Sequence, residues 1–240
     1  MSVVDLNIDL GELPNEPREL YAAATVANVA CGGHAGDAAS MARAVSFALA
    51  RGVRVAAHPS YPDREGFGRV SMAIEPGALA ASIEAQCAAL QKIATRLGAP
   101  ARSLKPHGAL YHDAHRDPVV ARALLDGAIA GLGADDDLVV VGFGGGALEA
   151  EARARGLVFA REGFADRAYA ADGSLVPRGQ AGAVLGDARA CARQAIALAS
   201  TGRIETVCVH GDTQGAVDIA LAVRDALAGA GMLAGAAGAL

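Results

Sequence analysis

Four of the six histidines in this chain directly follow a short apolar run and lie beside turns made with Gly, Pro or Ala. They are His34, His58, His107 and His210. A continuous apolar run is typical of a buried parallel strand, and ligands of α/β proteins bind just beyond the carboxyl ends of such strands. We therefore predict that the four imidazoles converge on one pocket, where they could act as acid–base groups.

The first apolar run carries polar residues on one face. Asp5, Asn7 and Asp9 occupy alternate positions, and Glu12 follows just after the run. Carboxylates inside a barrel are costly unless they are paired, hydrogen-bonded or bound to a ligand. Asp9 and Glu12, nearest the carboxyl end, are therefore the best functional candidates here, although Asp9 could instead cap the next turn. Asp5 is expected to pair with an internal Lys or Arg.

Further charged residues stand at the ends of later strands. Lys105 precedes His107, where its cation could stabilise a phosphate or a developing oxyanion, or form an interior salt bridge to Asp5 or Asp9. The other charged residues are Glu162, Asp166, Arg167 and Asp212. Together these side chains supply the bases, cations and turn amides that hydrolysis at a carbonyl requires. His112 and His115 are expected to be mostly solvated.

Two other chemistries are weaker candidates. Asp9, His34 and His58 could hold zinc or another divalent ion, but no H-x-x-x-H or H-E-x-x-H spacing supports a metal site, so none is assigned. Residues 142–147 match G-x-G-x-x-A, and Glu162 follows at the distance typical of a dinucleotide-binding unit. That interpretation leaves the earlier polar strand ends unexplained, although the same loop could bind an anion at its helix terminus.

The elements that must position these residues alternate along the chain. Strands are predicted at 3–8, 25–30, 53–57, 102–105, 138–143, 157–161 and 205–209. Helices are predicted at 37–51, 76–97, 118–132, 146–155, 187–200 and 214–227. This alternation, with no break in composition, predicts an α/β fold: a seven-stranded, closed or nearly closed parallel β/α barrel in a single domain over residues 1–240.

Two connections are longer than simple turns. They span residues 58–75 and 163–186, and Asp172 and Gly173 give the second one a hairpin signal. Loops of this length in a compact domain are usually functional or mobile.

Composition narrows the class of protein. The formal net charge of −5, with no Lys/Arg-rich run, argues against a nucleic-acid partner. The start of the chain lacks a secretory signal, and no segment reaches the roughly 20 apolar residues of a membrane span, so we expect a cytoplasmic protein that does not contact a membrane. The four cysteines are far apart and are expected to be reduced, buried thiols.

Six segments resemble the family of 5-oxoprolinase A subunits, also called LamB/YcsF. They are DLNIDLGE (5–12), NVACGGHAGD (28–37), AAHPSYPDREGFGR (57–69), LKPHGALYHD (104–113), EGFADRAYAADGSLVPR (162–178) and VHGDT (209–213). The resemblance implies a seven-stranded β/α barrel of the glycoside hydrolase/deacetylase superfamily. It also implies that 5-oxo-L-proline is cleaved to L-glutamate with ATP as co-substrate, together with partner subunits B and C. The chain has no G-x-x-x-x-G-K-[ST] phosphate loop, so ATP would be bound in another way or by a partner.

Thirteen residues match motif positions of the family, and their location at strand ends suggests their roles. The catalytic candidates are Asp9, Glu12, Lys105, His107 and Glu162. The substrate-binding candidates are Asn28, His34, Asp37, His58, Asp166, Arg167, His210 and Asp212. We expect Asp9 or His107 to act as the base, Lys105 as the phosphate or oxyanion cation, and Arg167 as the carboxylate clamp.

The chain departs from the common family pattern near the expected pocket. The segment 13–27 is short, Gly33 stands where a bulky aromatic residue is usual, and His112 replaces a frequent Asn. Two other functions therefore stay open, a metal-dependent deacetylase or carbohydrate hydrolase and a non-catalytic subunit that binds a ligand. A homo-oligomer is also possible.

Overall fold

The computed structural model describes residues 2–133 and 137–235 of the chain. Within them, seven parallel strands close into a barrel in sequence order, which confirms the predicted fold. The strands are β1 (Asp5–Leu10), β2 (Val26–Ala30), β3 (Arg54–His58), β4 (Ser103–Leu104), β5 (Val139–Gly142), β6 (Val158–Phe164) and β7 (Thr206–His210). The helices are α1 (Arg18–Ala23), α2 (Ala38–Leu49), α3 (Pro76–Arg96), α4 (Gly108–Arg116), α5 (Pro118–Leu132), α6 (Ala147–Ala154), α7 (Ala188–Ser200) and α8 (Ala216–Gly229).

The alternation along β1 separates an apolar and a polar side of the barrel wall. Leu6, Ile8 and Leu10 belong to the large hydrophobic core. Asn7 instead donates hydrogen bonds across the interior to Glu162 and to Thr206, both over 2.8 Å. The polar side of β1 therefore points into the barrel, where it can build a site.

The opposite end of β1 carries an ion pair that does not belong to that site. Asp5 pairs with Arg54 at the start of β3 and accepts a hydrogen bond of 2.8 Å from the Thr25 hydroxyl. The expectation that Asp5 pairs with a basic residue is therefore confirmed.

Helices α1 and α4 were not predicted from the sequence. Helix α4 places His112 and His115 against Phe143, with ring centroids 6.0 and 5.8 Å apart, respectively. Both histidines are half-buried, so the expectation that they are mostly solvated is wrong. The cause is that the loop after β5 folds onto this helix, which no local pattern predicts.

The segment after β5 that matches a dinucleotide-binding motif binds a carboxylate of the chain itself. The amide of Gly145 donates to Glu149 over 2.7 Å, and Glu149 also pairs with Arg153 and Arg161 at 2.8 and 2.9 Å. The Glu149 carboxylate therefore accepts the hydrogen bond of the Gly145 amide beside the start of α6, a donor that would otherwise be open to a phosphate.

The two long connections extend from the carboxyl ends of β3 and β6. The second connection contains the predicted turn at Asp172 and Gly173, since Tyr169 and Leu175 form an antiparallel bridge around it. Among the described residues, none of the helices is both long and apolar enough to cross a membrane.

Candidate functional site

A cavity of about 400 Å³ opens at the carboxyl end of the barrel. Histidines that end β3 and β7 lie in its wall, as expected for a ligand site of a parallel α/β protein. The predicted site residues in its lining are Asp9, His58, Lys105, His107, Arg167 and His210.

A buried lysine organises one side of the barrel end, which we call the lysine-centred cluster (Asn7, Asp9, Lys105, Glu162 and Cys208). Its ammonium Nζ lies 2.8 Å from Asp9 Oδ1 and 3.0 Å from Glu162 Oε1. The same atom lies 3.1 Å from Asn7 Oδ1 and 3.0 Å from Cys208 Sγ. The lysine side chain is only 2% exposed, so protein groups replace most of its water shell.

Mutual attraction keeps Lys105 and Asp9 ionised. Burial disfavours the charge on Lys105, but Asp9, Cys208 and Glu162 raise its pKa well above the ordinary value. Burial likewise disfavours the Asp9 carboxylate, yet His58 and Lys105 hold its pKa well below the usual range. Asn28 donates a further hydrogen bond of 2.8 Å to Asp9 Oδ1.

The other side of the barrel end is a histidine cluster (Glu12, His34, His58 and His107). One carboxylate oxygen, Glu12 Oε1, lies 2.9 Å from His34 Nε2, 3.3 Å from His107 Nδ1 and 3.8 Å from His58 Nε2. Burial opposes the Glu12 charge, but the contacts with His107 and His34 hold its pKa far below the usual value. Burial lowers the pKa of His34 to about 4, so this ring is neutral at neutral pH.

Backbone carbonyls orient two rings of the histidine cluster. His58 Nδ1 donates to the Lys105 carbonyl over 2.7 Å, and His107 Nε2 donates to the Phe67 carbonyl over 3.0 Å. The two remaining nitrogens, His58 Nε2 and His107 Nδ1, face each other at 3.0 Å. Burial lowers the pKa of His107, which favours its neutral form.

The loop after β3 supplies the carbonyl that holds His107. Phe67 has a φ of 53°, the one positive value found for a non-glycine residue in the described chain. Its ring contacts His34 and His107 edge-on, with centroids 5.2 and 5.4 Å away. A side chain forced into the left-handed region is strained, so the loop conformation here is maintained by its surroundings.

An aspartate orients the histidine at the end of β7. Asp166 accepts from His210 Nδ1 over 2.9 Å and from the Thr213 hydroxyl over 2.9 Å. Burial disfavours the imidazolium, but the Asp166 charge raises the pKa of His210 above its ordinary value. His210 Nε2 has no hydrogen bond within the described residues, and His210 lines the cavity.

Arginines surround the cavity where the long loops meet. Asp212 pairs with both Arg69 and Arg178, the latter at 3.1 Å. Arg167 is buried and donates to the carbonyls of Ala183 and Val176 over 3.2 and 2.9 Å. No carboxylate lies within salt-bridge distance of Arg167 in the described structure, so its charge is available to an anionic ligand.

The predicted residues do not all meet the cavity. Asn28 and Glu162 lie in the barrel interior and contact the lysine-centred cluster. Asp37 is exposed at the start of α2, where it accepts from the Ser40 amide over 2.8 Å in a capping box. Asp37 and the predicted residue Glu12 line a second, smaller cavity of about 280 Å³.

Comparisons with known proteins agree with the geometry. The chain matches the LamB/YcsF family model over residues 4–238. It is 43% identical to the A subunit of 5-oxoprolinase from Nocardia farcinica, over 96% of this chain and 97% of that protein. It is 44% identical to the A subunit of 5-oxoprolinase from Streptomyces coelicolor, over 98% and 99% of the two chains.

This chain belongs to the LamB/YcsF family. A solved structure of the same fold, the lactam utilization protein from Thermus thermophilus, superposes with a TM-score of 0.87. It is 37% identical, and the match covers 96% of this chain and 98% of that one.

The departure from the family pattern at Gly33 has a packing explanation. A Cβ at Gly33 would collide with Ser60 Oγ and Gln86 Oε1. The amide of Gln86 binds both backbone groups of Ser60, at 2.9 and 3.1 Å. The volume that an aromatic side chain would need is therefore occupied by a buried glutamine from α3.

Sequence reasoning missed several residues of this LamB/YcsF site. Cys208 precedes His210 by two positions on β7, so the strand period alone could have placed both on the same face. Tyr111 lines the cavity, and its buried hydroxyl lies beside the Glu162 carboxylate. Arg69 and Arg178 end two of the segments that resemble the family, so the resemblance could have marked them, but only the folding of two long loops brings them to Asp212.

Proposed function

We propose that this chain is the A subunit of an ATP-dependent 5-oxoprolinase, which hydrolyses 5-oxo-L-proline to L-glutamate while ATP becomes ADP and phosphate. The observation that carries the proposal is the identity of 43–44% over nearly the whole chain to proteins named as this subunit of 5-oxoprolinase. The cavity of about 400 Å³ supports it, because small-molecule sites are typically about 300–1,000 Å³.

The charges of the cavity fit this substrate class. A lactam is a poor electrophile, so transfer of the γ-phosphoryl group of ATP to the lactam oxygen, with release of ADP, would make attack by water feasible. The ring C–N bond then breaks with its electron pair and a proton going to nitrogen, and hydrolysis of the resulting acyl phosphate releases phosphate. This sequence needs a cation beside the reacting oxygen, a base for water and a partner for the substrate carboxylate.

Two residues of the cavity can fill the roles of cation and carboxylate partner, and a third adds a donor. Lys105 lies in the wall and supplies the cation for the phosphorylated oxygen or oxyanion. Arg167, which has no carboxylate partner within the described residues, binds the substrate carboxylate. Tyr111 adds a donor, since burial and the Glu162 charge raise its pKa and keep the hydroxyl protonated.

The base assignment follows from the hydrogen bonds. Both ring nitrogens of His107 are engaged, whereas His210 is oriented by Asp166 and keeps Nε2 available. We therefore assign His210 as the base that activates water. Asp9 is less suited, because its lowered pKa makes it a weak base and Lys105 holds it in an ion pair.

The test is reconstitution with candidate subunits B and C, which we expect to bind this chain in the cytoplasm. The mixture should release glutamate from 5-oxoproline only when ATP is present. Arg167→Met should raise KM by about 10- to 100-fold, the loss expected for a charge-assisted hydrogen bond. Arg102→Met is the matched control, because Arg102 is exposed and pairs only with exposed Asp137 among the described residues.

Two outcomes would reject the proposal. Absence of turnover with every combination of subunits would count against a 5-oxoprolinase. Unchanged turnover by Lys105→Ala, with the complex still assembled, would instead favour a non-catalytic subunit that only binds the ligand. A catalytic Lys105 should lower kcat by about 10²–10³-fold when removed.

A further inference from the structure

We propose that the histidine cluster is a binding site for one divalent transition-metal ion of the zinc class. The ligand atoms are Glu12 Oε1, His34 Nε2, His58 Nε2 and His107 Nδ1, which all lie within 4.8 Å of one another. This proposal does not depend on the lactam substrate, since it rests on the arrangement of these side chains alone.

The hydrogen bonds around two of the rings leave a position for a cation. His58 Nδ1 and His107 Nε2 each donate their proton to a backbone carbonyl. In the neutral rings, His58 Nε2 and His107 Nδ1 are then both acceptors, and they face each other at 3.0 Å. Two lone pairs at that distance repel unless a proton or a metal ion lies near both.

The distances between ligand atoms fit a metal better than a proton. A zinc ion about 2.0–2.1 Å from each tetrahedral ligand separates the ligand atoms by about 3.3 Å. Glu12 Oε1 lies 2.9, 3.3 and 3.8 Å from the three histidine nitrogens, values that bracket this spacing. A proton shared between His58 and His107 would account for their contact alone, whereas one ion would also account for the approach of Glu12 to both rings.

The groups behind the ligands are those of a metal site. Metal-binding histidines usually donate their second N–H to a carbonyl or carboxylate, which orients the ring. The carbonyls of Lys105 and Phe67 do this for His58 and His107. His34 lacks such a group, because its Nδ1 has no partner in the described chain, and its ring stacks on His107 with centroids 3.6 Å apart, so it must turn to share the ion. Three imidazoles and one carboxylate suit zinc and its neighbours.

The structure changes the triad that the sequence suggested. Asp9 is not the central carboxylate, because its Oδ1 already accepts from Lys105 and Asn28. Asp9, Cys208 and His210 form a second possible group, but the Lys105 ammonium lies 2.8 Å from Asp9 and 3.0 Å from Cys208. A cation of the protein is already present there, so we expect no ion at that group.

The experiment measures metal binding by the purified full-length chain. After treatment with a chelator and removal of the chelator, zinc chloride is titrated calorimetrically and the desalted protein is analysed for zinc. We expect one ion per chain, and cobalt chloride should give the visible absorption of a tetrahedral site. If the cluster holds a shared proton without metal, binding also releases it, which titrations in two buffers of different ionisation enthalpy would show.

Substitutions locate the site. Glu12→Gln and His107→Gln should each weaken zinc binding by more than about 100-fold, beyond the 10–100-fold typical of groups behind the ligands. His112→Gln and Cys208→Ser are the controls and should retain full affinity. Circular dichroism of every variant shows whether it folds, and the wild-type stoichiometry and cobalt spectrum do not depend on any variant.

Two results would overturn the metal proposal. The first is a wild-type chain that retains no zinc or cobalt after desalting, which would assign a proton to the space between His58 and His107. The second is binding that Cys208→Ser abolishes and Glu12→Gln does not, which would move the ion to the other group. Neither result bears on glutamate release from 5-oxoproline, so the two proposals fail separately.

Discussion

The lysine-centred cluster and the histidine cluster lie side by side at the same end of the barrel, and His58 contacts both. Each buries carboxylate, but they balance that charge differently. Asp9 and Glu162 share the ammonium of Lys105, whereas Glu12 faces three imidazoles, of which His34 and His107 have lowered pKa values. One cluster thus contains its own cation, and the other has ligands arranged around a place for one.

The two clusters also stand on different parts of the barrel. Most of the lysine-centred cluster stands on β1, β6 and β7, whose ladders fix every second side chain. The histidine cluster stands mainly at strand ends and in the segments after β1 and β2, and Phe67 of a long loop positions one ring. A built-in ion pair therefore uses the rigid part of the barrel, and the candidate ion site uses the loops around it.

The largest effect should come from removing the built-in cation. Lys105→Met leaves Asp9 and Glu162 buried without their partner, which we expect to lower the free energy of unfolding by about 3–5 kcal/mol. Urea denaturation at neutral pH measures it. The exposed pair of Arg102 and Asp137 is the control, and Arg102→Met should cost no more than about 1 kcal/mol. Equal losses in the two variants would contradict the central role of Lys105.

A smaller loss is expected when the carboxylate of the other cluster is neutralised. In metal-free protein, Glu12→Gln should lower the free energy of unfolding by about 1–3 kcal/mol, because it removes hydrogen bonds to a charged group but leaves no unpaired charge. The same denaturation assay applies. A loss as large as that of Lys105→Met would show that the histidine cluster already holds a full positive charge, and the contrast between the clusters would fail.

The loop that supports the histidine cluster offers a still smaller test. Phe67→Gly should be more stable than Phe67→Ala by about 1 kcal/mol, because only glycine adopts a positive φ without strain. Both variants lose the same ring, so their difference isolates the backbone term. Thermal unfolding measured side by side gives the comparison, and an alanine variant as stable as the glycine variant would remove the argument for a strained loop.

The smallest change in the free energy of unfolding at any single pH is expected at His210. Its dependence on pH provides the test. The groups that face this ring are Asp166, Asp9 and Lys105, and the Asp166 charge outweighs burial and raises its pKa. Its stabilising contribution is therefore full below the ordinary pKa of about 6.5 and is lost as the pH rises through the folded-state pKa. The free energy of unfolding of wild type relative to His210→Gln should fall between pH 6 and pH 9. A difference that instead rises over this range would show that the pKa of His210 is lowered in the folded protein, and the prediction would fail.

Much of the site could be predicted because strand ends are local features. Asp9, Lys105 and His210 were placed in one pocket by the apolar runs before them, and all three line the cavity. Asp37 was a candidate from a family motif and not from a strand end. It stands in a motif beside His34, but its side chain caps α2, because an N-cap needs only a helix start after it.

What the sequence determined by itself was the barrel, its seven strands, the polar face of β1 and the strand ends that carry chemistry, because the periods of apolar residues are set by local geometry. The tertiary structure alone decided which charge meets which partner. Asp9 and Glu162 share Lys105, while Glu12 turns to the histidines, because closure of the barrel sets distances between strands that are far apart in sequence. Those distances give the lysine-centred cluster a cation of the protein itself and give the histidine cluster ligands for an added one.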